Sequence, residues 1–211
     1  MKNLQTIVLS NQEISPGYFR MRILAPGYMG VAKPGQFVMF RVRRSLPPLL
    51  RRPFGIFQIG FLPADCEGMP EKEFIELVYK VVGSGTEVMR ELHEGDRIEL
   101  LGPLGRGFEI DDEAGDKILV GGGIGLVPLY MLADSLVDRS KTRLLIGGRS
   151  REDIITVTEF ERLGVTTHVT TEDGSLGEEG LITRILERKL DNYPKAKVYS
   201  CGPMPMLRAV E

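Results

Sequence analysis

Val120-Gly121-Gly122-Gly123-Ile124-Gly125-Leu126-Val127-Pro128 lies between an apolar run, Lys117–Val120, and a stretch of helical spacing, Val127–Val137. A strand that ends in glycines and opens directly into a helix commits this part of the chain to a βα unit. Glycine lets the backbone turn sharply and approach a ligand closely, and the N–H groups at the helix start suit a pyrophosphate. Proline fits a first helical turn, where its missing N–H costs nothing. The segment departs from the usual dinucleotide fingerprint, because Pro128 stands where that pattern has its last small residue. Nor does an acidic residue end the next strand, which closes Gly147-Gly148-Arg149-Ser150. A purely structural turn is the competing reading; the strand before and the helix after favour a dinucleotide site.

The same rhythm continues to the end. Thr142–Ile146, Thr166–Thr170 and Lys197–Ser200 read as strands, and Glu159–Leu163 and Leu181–Leu190 have helical spacing. Strands alternating with helices predict a parallel-sheet, Rossmann-like domain over residues 111–211. The last strand runs into Cys201-Gly202-Pro203. Ligands bind beyond the carboxyl ends of such strands, so Cys201 and Gly202 are expected to share a crevice with Gly123 and Gly125. A small buried hydrophobe is the plainer reading of a lone strand-end cysteine.

Before Ile110–Asp116, an acidic stretch read as the domain boundary, the pattern differs. Thr6–Ser10, Tyr18–Leu24, Gln36–Val42, Phe54–Gly60, Phe74–Val82 and Arg97–Leu101 are short strands. They are cut by Ser15-Pro16-Gly17, Ala25-Pro26-Gly27, Lys33-Pro34-Gly35, Leu46–Leu50 and Glu94-Gly95-Asp96, with one helical stretch near Thr86–Leu92. This spacing predicts a six-stranded antiparallel β-barrel over residues 1–110. Two segments in it invite chemistry. Leu50-Arg51-Arg52-Pro53-Phe54-Gly55 sets a guanidinium fork, suited to bidentate phosphate binding, beside an aromatic ring. Val78-Tyr79-Lys80-Val81-Val82-Gly83-Ser84-Gly85-Thr86 runs a strand into a glycine turn that could offer N–H groups and the Thr86 hydroxyl to a second phosphate. A solvated basic turn is the alternative for the first.

Taken in this order, these segments resemble the ferredoxin–NADP reductase superfamily. Within it, they resemble the electron-transfer subunits that serve NAD-dependent dihydroorotate dehydrogenase. Arg52-Pro53-Phe54-Gly55 is similar to the flavin motif, and Gly83-Ser84-Gly85-Thr86 to the FAD pyrophosphate turn. Gly102–Phe108 is similar to the link that closes the barrel. Gly121–Pro128, Glu172–Gly177 and Cys201-Gly202-Pro203 are similar to the nicotinamide domain. The resemblance implies FAD on the first domain. Arg52 would hold its pyrophosphate, Pro53, Phe54 and Gly55 would line the isoalloxazine, and Val78, Tyr79 and Lys80 would lie along it. Gly85 and Thr86 would sit at the phosphates. On the second domain it implies NAD, with Gly122, Gly123, Gly125, Pro128, Arg149, Asp173, Gly202 and Pro203 as binding residues. Cys201, read as the catalytic residue, would face the nicotinamide while hydride passes between nicotinamide C4 and flavin N5.

The resemblance further implies an FMN-containing dihydroorotate dehydrogenase catalytic subunit as partner, in a heterotetramer. Another reductase partner (sulfide- or ferredoxin-linked) and a dinucleotide-binding redox sensor without turnover remain open readings. Gly55 departs from the motif, which has Ser or Thr there, leaving only a backbone N–H for flavin N5. The family also carries a tail with a 2Fe–2S cluster, which needs four thiolates. This sequence has two cysteines, Cys66 and Cys201. The chain is therefore expected to continue past Glu211, the cluster belonging to a full-length form without ligands in these residues. Cys66 itself reads as a loop thiol, and His93 and His168 as surface or packing residues.

Composition narrows the rest. Lys plus Arg number 27 against 29 for Asp plus Glu, so no nucleic-acid surface is expected. No apolar run approaches the ~18 residues of a membrane span, and no signal peptide is read at Met1-Lys2-Asn3-Leu4, so a cytoplasmic protein is expected.

Overall fold

A computed structural model describes residues 1–42, 50–63, 71–110 and 115–211. Cys66, residues 46–49 of the expected breaker and residues 111–114 of the expected boundary lie outside the described residues. The chain divides into two units, Met1–Phe108 and Glu109–Glu211.

The first unit holds strands β1 (Lys2–Ser15), β2 (Tyr18–Leu24), β3 (Phe37–Val42), β4 (Arg52–Gly55), β5 (Gln58–Leu62), β6 (Lys72–Lys80) and β7 (Arg97–Leu104) and one helix, α1 (Ser84–Arg90). They form a seven-stranded antiparallel sheet in the order β4-β3-β7-β1-β2-β6-β5. β1 changes partners halfway: Lys2–Ile7 pair with β7, and Val8–Ser15 pair with β2. The two edge strands, β4 and β5, are consecutive in sequence and joined only by Ile56 and Phe57. Both link residues are buried. The Ile56 N–H reaches the Gln36 carbonyl at 3.2 Å, and the Phe57 N–H reaches that of Glu76 in β6 at 2.9 Å. So short a link between opposite edges forces the sheet to curl into a half-barrel. The single strand expected at Phe54–Gly60 is thus two strands, because two successive apolar residues turn inward where one strand would alternate.

β6 is buried on both faces, and its Glu76 is fully covered. A buried carboxylate needs partners. Arg22 Nε lies 2.7 Å from one of its oxygens and Arg20 Nε 3.5 Å from the other, riveting β2 to β6.

In the second unit, β8 (Lys117–Gly122), β9 (Thr142–Gly148), β10 (Thr166–Thr171), β11 (Glu178–Glu179) and β12 (Lys197–Cys201) form a parallel sheet in the order β11-β10-β9-β8-β12. Its helices are α2 (Leu126–Ser135), α3 (Val157–Arg162), α4 (Ile182–Asn192) and α5 (Met204–Val210). Ile118, Leu119 and Val120 of β8 and Leu144, Leu145 and Ile146 of β9 are fully buried, the unbroken apolar runs of strands covered on both faces. Ile182, Ile185 and Leu186 of α4 close one face over Ile118, Val120 and Leu145. The two-residue β11 was not expected; a piece this short has no period to read.

Candidate functional site

The first unit gathers its predicted residues around β4. Its ladder with β3 pairs Phe37 with Gly55, Val38 with Phe54, Met39 with Pro53 and Phe40 with Arg52. Since the Ile56 N–H bonds back to Gln36, antiparallel alternation turns positions 53 and 55 toward the open edge. Proline is tolerated there because no ladder bond is lost, and the outward donor of β4 is the Gly55 N–H. Phe54 turns the other way: its ring meets Phe40 edge-on at 6.0 Å and Tyr79 at 5.9 Å, and Tyr79 stacks on Phe19 at 5.7 Å. The two adjacent arginines part company. Arg51 donates to Glu99 of β7 and to Asn3 of β1, both at 3.1 Å. Arg52 bonds only the Leu50 carbonyl, at 2.8 Å, among the described residues, and its guanidinium lies on Gly85. A Cβ at Gly85 would fall 1.8 Å from Arg52 Nε. Residues 52 and 85, far apart in sequence, are in contact, and the contact requires glycine.

Thr86 corrects the expectation of a hydroxyl offered to a phosphate. Its Oγ1 accepts the N–H groups of Val82 at 2.9 Å and Gly83 at 3.2 Å and donates to the Gly83 carbonyl at 2.9 Å. One donor and two lone pairs are thereby used inside the turn. Thr86 shapes the turn, leaving the Ser84 and Gly85 N–H groups, which no intrahelical carbonyl reaches, as its outward donors. Val78 and Tyr79 are buried, so Val78 contributes packing and Tyr79 its ring; Lys80 Nζ sits 4.6 Å from the centre of the Tyr18 ring.

In the second unit β8 stands between β9 and β12, so the order of the strands reverses at β8, and ligands in such folds bind beyond the carboxyl ends at that point. The glycine segment forms a single 3-10 turn, Gly123–Gly125, before α2. Gly123 has φ 52°, a left-handed conformation that glycine adopts freely. A Cβ on Gly125 would lie 2.2 Å from the Cys201 carbonyl oxygen and 2.8 Å from the Gly202 Cα. The two strand-end loops therefore touch, backbone on backbone. Met206 of α5, which no motif in the sequence singles out, lies across both. A Cβ on Gly122 would meet its sulfur and Pro203 Cδ at 2.9 Å each, and one on Gly202 would meet its methyl at 2.6 Å. Pro128 sits in the first turn of α2, where no N–H is missed. Burial pushes the half-buried Cys201 thiol up, so it is held as a neutral thiol rather than a nucleophilic thiolate.

At the end of β9, Arg149 is exposed, and its N–H donates to Asp153 Oδ2 at 3.2 Å. Its carbonyl accepts the Asp173 N–H at 3.2 Å. Asp173 Oδ1 accepts the Ser175 hydroxyl at 2.6 Å and N–H at 3.0 Å, bonds that hold it below the usual carboxylate range. The strand ends in no acid in sequence, yet Glu152, from the next 3-10 turn, folds back and accepts the Ser150 hydroxyl. That bond holds Glu152 low too, against the opposing charges of Asp173 and Asp153. Asp153 and Asp173 thus bond the Arg149 backbone, and Glu152 the neighbouring Ser150.

Among the described residues, no group of His, Cys, Asp or Glu could hold a metal ion, and no helix is long and apolar enough to cross a membrane.

The family of oxidoreductase NAD-binding domains matches residues 119–211. A dihydroorotate dehydrogenase B (NAD(+)) electron transfer subunit of Fusobacterium nucleatum subsp. nucleatum is 34% identical over 215 residues, covering 100% of this chain and 79% of its own. A solved NADH-dependent reduced ferredoxin–NADP oxidoreductase, described for flavin-based electron bifurcation, is 29% identical with a TM-score of 0.76, covering 97% of this chain and 70% of its own. The ferredoxin NADP+ reductase of Neisseria gonorrhoeae, solved with bound FAD and NADP, shares the fold at a TM-score of 0.77 and 15% identity, covering 99% and 89%.

Proposed function

We propose a division of labour between the two units from one premise: the chain belongs to the family of dihydroorotate dehydrogenase B (NAD(+)) electron transfer subunits, in the ferredoxin–NADP reductase superfamily. It is a flavin-dependent NAD(H) oxidoreductase subunit, carrying electrons from a dihydroorotate-oxidising subunit to NAD in pyrimidine biosynthesis. The first unit takes FAD and the second NAD.

When bound, FAD supplies the exchange between two-electron hydride chemistry and single-electron carriers. The chain's residues supply position and charge. Arg52 and the outward N–H groups of the Gly83–Thr86 turn hold the pyrophosphate. The observation that carries this reading is the guanidinium lying on Gly85, a fork and a row of donors converging on one point. The Gly55 N–H, at the open edge of β4, would be the chain's donor to the flavin, in place of the Ser or Thr of the motif. In the second unit the touching glycine loops bring bare backbone to the NAD pyrophosphate, and Cys201 meets the nicotinamide as a neutral, weak donor. Glu152, fixed by Ser150 beside Arg149, repels a 2′-phosphate and so selects NAD over NADP.

For a partner we assign the FMN-containing catalytic subunit, in a cytoplasmic hetero-oligomer; the relatives' shared name, an electron transfer subunit, supports a partner subunit. A 2Fe–2S cluster does not fit these residues, since it needs four ligands and the sequence holds two cysteines. Loading the protein with FAD and adding NADH under anaerobic conditions tests the proposal. Bleaching of the flavin absorbance band is expected, and a flavin that stays oxidised would sink the reading.

A further inference from the structure

Asn11, near the middle of β1, makes a set of contacts that the binding roles above leave unused. Its Oδ1 accepts the Tyr79 phenol at 3.0 Å. Its Nδ2 donates to the Met89 carbonyl at 2.9 Å and the Leu92 carbonyl at 3.0 Å, and lies 3.3 Å from that of Arg90. Those carbonyls close the C-terminal end of α1, where a helix leaves acceptors without partners. One side-chain amide thus joins two elements that the flavin reading gives to different parts of FAD, its isoalloxazine and its pyrophosphate. Tyr79 is the base of the aromatic bed, carrying Phe54 and Phe19. The far end of α1 is the Gly83–Thr86 turn beneath Arg52. A seven-residue helix is a stiff spacer of about 10 Å. Fixing one end therefore fixes the other.

We propose that Asn11 is a positioning residue for FAD: it sets the spacing between the pyrophosphate turn and the bed of the isoalloxazine. The inference rests on the flavin reading of the first unit. A ligand that spans two anchor points gains affinity only when their separation matches its length, as with any linked pair of binding groups. Loosening Asn11 should leave each anchor intact and spoil their register. Burial keeps the Tyr79 phenol protonated far above neutral pH, so the link holds throughout the working range.

A general loss of fold would weaken every flavin equally, so the test compares a ligand that spans both anchors with one that reaches only the bed. FAD and riboflavin are titrated, by flavin fluorescence, into the flavin-free 211-residue chain as wild type, Asn11→Ala and Tyr79→Phe. Asn11→Ala is expected to lose FAD affinity by roughly tenfold, the worth of one or two hydrogen bonds, with riboflavin affinity held within about twofold. Tyr79→Phe keeps the ring and drops the link, so it should weaken FAD in the same selective way by a smaller factor. If Asn11→Ala does not fold, Tyr79→Phe decides alone. Parallel loss of both ligands, or unchanged FAD affinity in the soluble variants, overturns the inference. A wild-type chain that takes up no FAD refutes the flavin reading beneath it instead.

Discussion

Gly85 in the first unit and Gly125 in the second have no room for a side chain, but for different reasons. At Gly85 the neighbour is the tip of Arg52, 1.8 Å from where a Cβ would stand; at Gly125 it is the Cys201 carbonyl, at 2.2 Å. A guanidinium on a flexible stem can move aside, whereas a peptide group at the end of a sheet strand cannot. The proposed flavin site is thus built from a side chain laid over backbone, and the proposed nicotinamide site from backbone laid on backbone. Changes at the first site should therefore cost binding and spare the fold, whereas an added atom at the second should cost both.

The largest effect is expected at Gly125→Ala. Overpacking against a fixed peptide costs about 1–3 kcal/mol, lowering the melting temperature of the second unit. A displacement of roughly an ångström at the site should slow NADH-driven flavin reduction by on the order of a hundredfold. Normal stopped-flow rates with a normal melt would erase the contrast. Arg52→Ala comes next: FAD affinity should fall at least about tenfold while the flavin-free melt stays put. Full flavin content after dialysis of that variant would remove Arg52 from the site. Gly85→Ala sharpens the comparison, since it should weaken FAD and spare the fold, unlike its counterpart at Gly125. A smaller change is expected for Glu152→Gln. Losing one exposed charge should raise the NADPH rate relative to NADH by about threefold, and an unchanged ratio would acquit Glu152.

The smallest effect tests whether the centre of the nicotinamide site is uncharged. In a Cys66→Ser background, iodoacetamide reports on Cys201 alone. A raised thiol pKa means less thiolate at any given pH, so the alkylation profile should rise at higher pH than that of free cysteine, about 8.5. A profile rising below that value would mean a thiolate, hence a cationic neighbour that the crevice does not reveal.

Sequence periodicity sufficed for most of both sheets, because β2 alternates and β8 and β9 are solid apolar runs. It sufficed for the pairing of the Gly125 and Cys201 loops too, since parallel strands align their carboxyl ends. It failed where a contact depends on a local fold-back. Glu152 reaches Ser150 only through the 3-10 turn at Arg151–Asp153, and Thr86 closes its own turn by bonds that spacing alone does not announce. Asn11 was invisible for another reason. Its partners lie 68 to 81 residues away, and a lone asparagine in a strand carries no pattern.

The divided pairing of β1 also orders events in time. Its second half meets β2 across the tight turn at Pro16-Gly17 and can form a hairpin as soon as both have been synthesised. Its first half must wait for β7, which ends at Leu104. One strand of the first unit therefore carries both an early pairing and a late one. On a translating ribosome, Lys2–Ile7 would stand as an unpaired edge until nearly the whole unit had emerged. Closing so long a loop is slow, and an open edge is the part of a nascent chain most exposed to pairing with a neighbour.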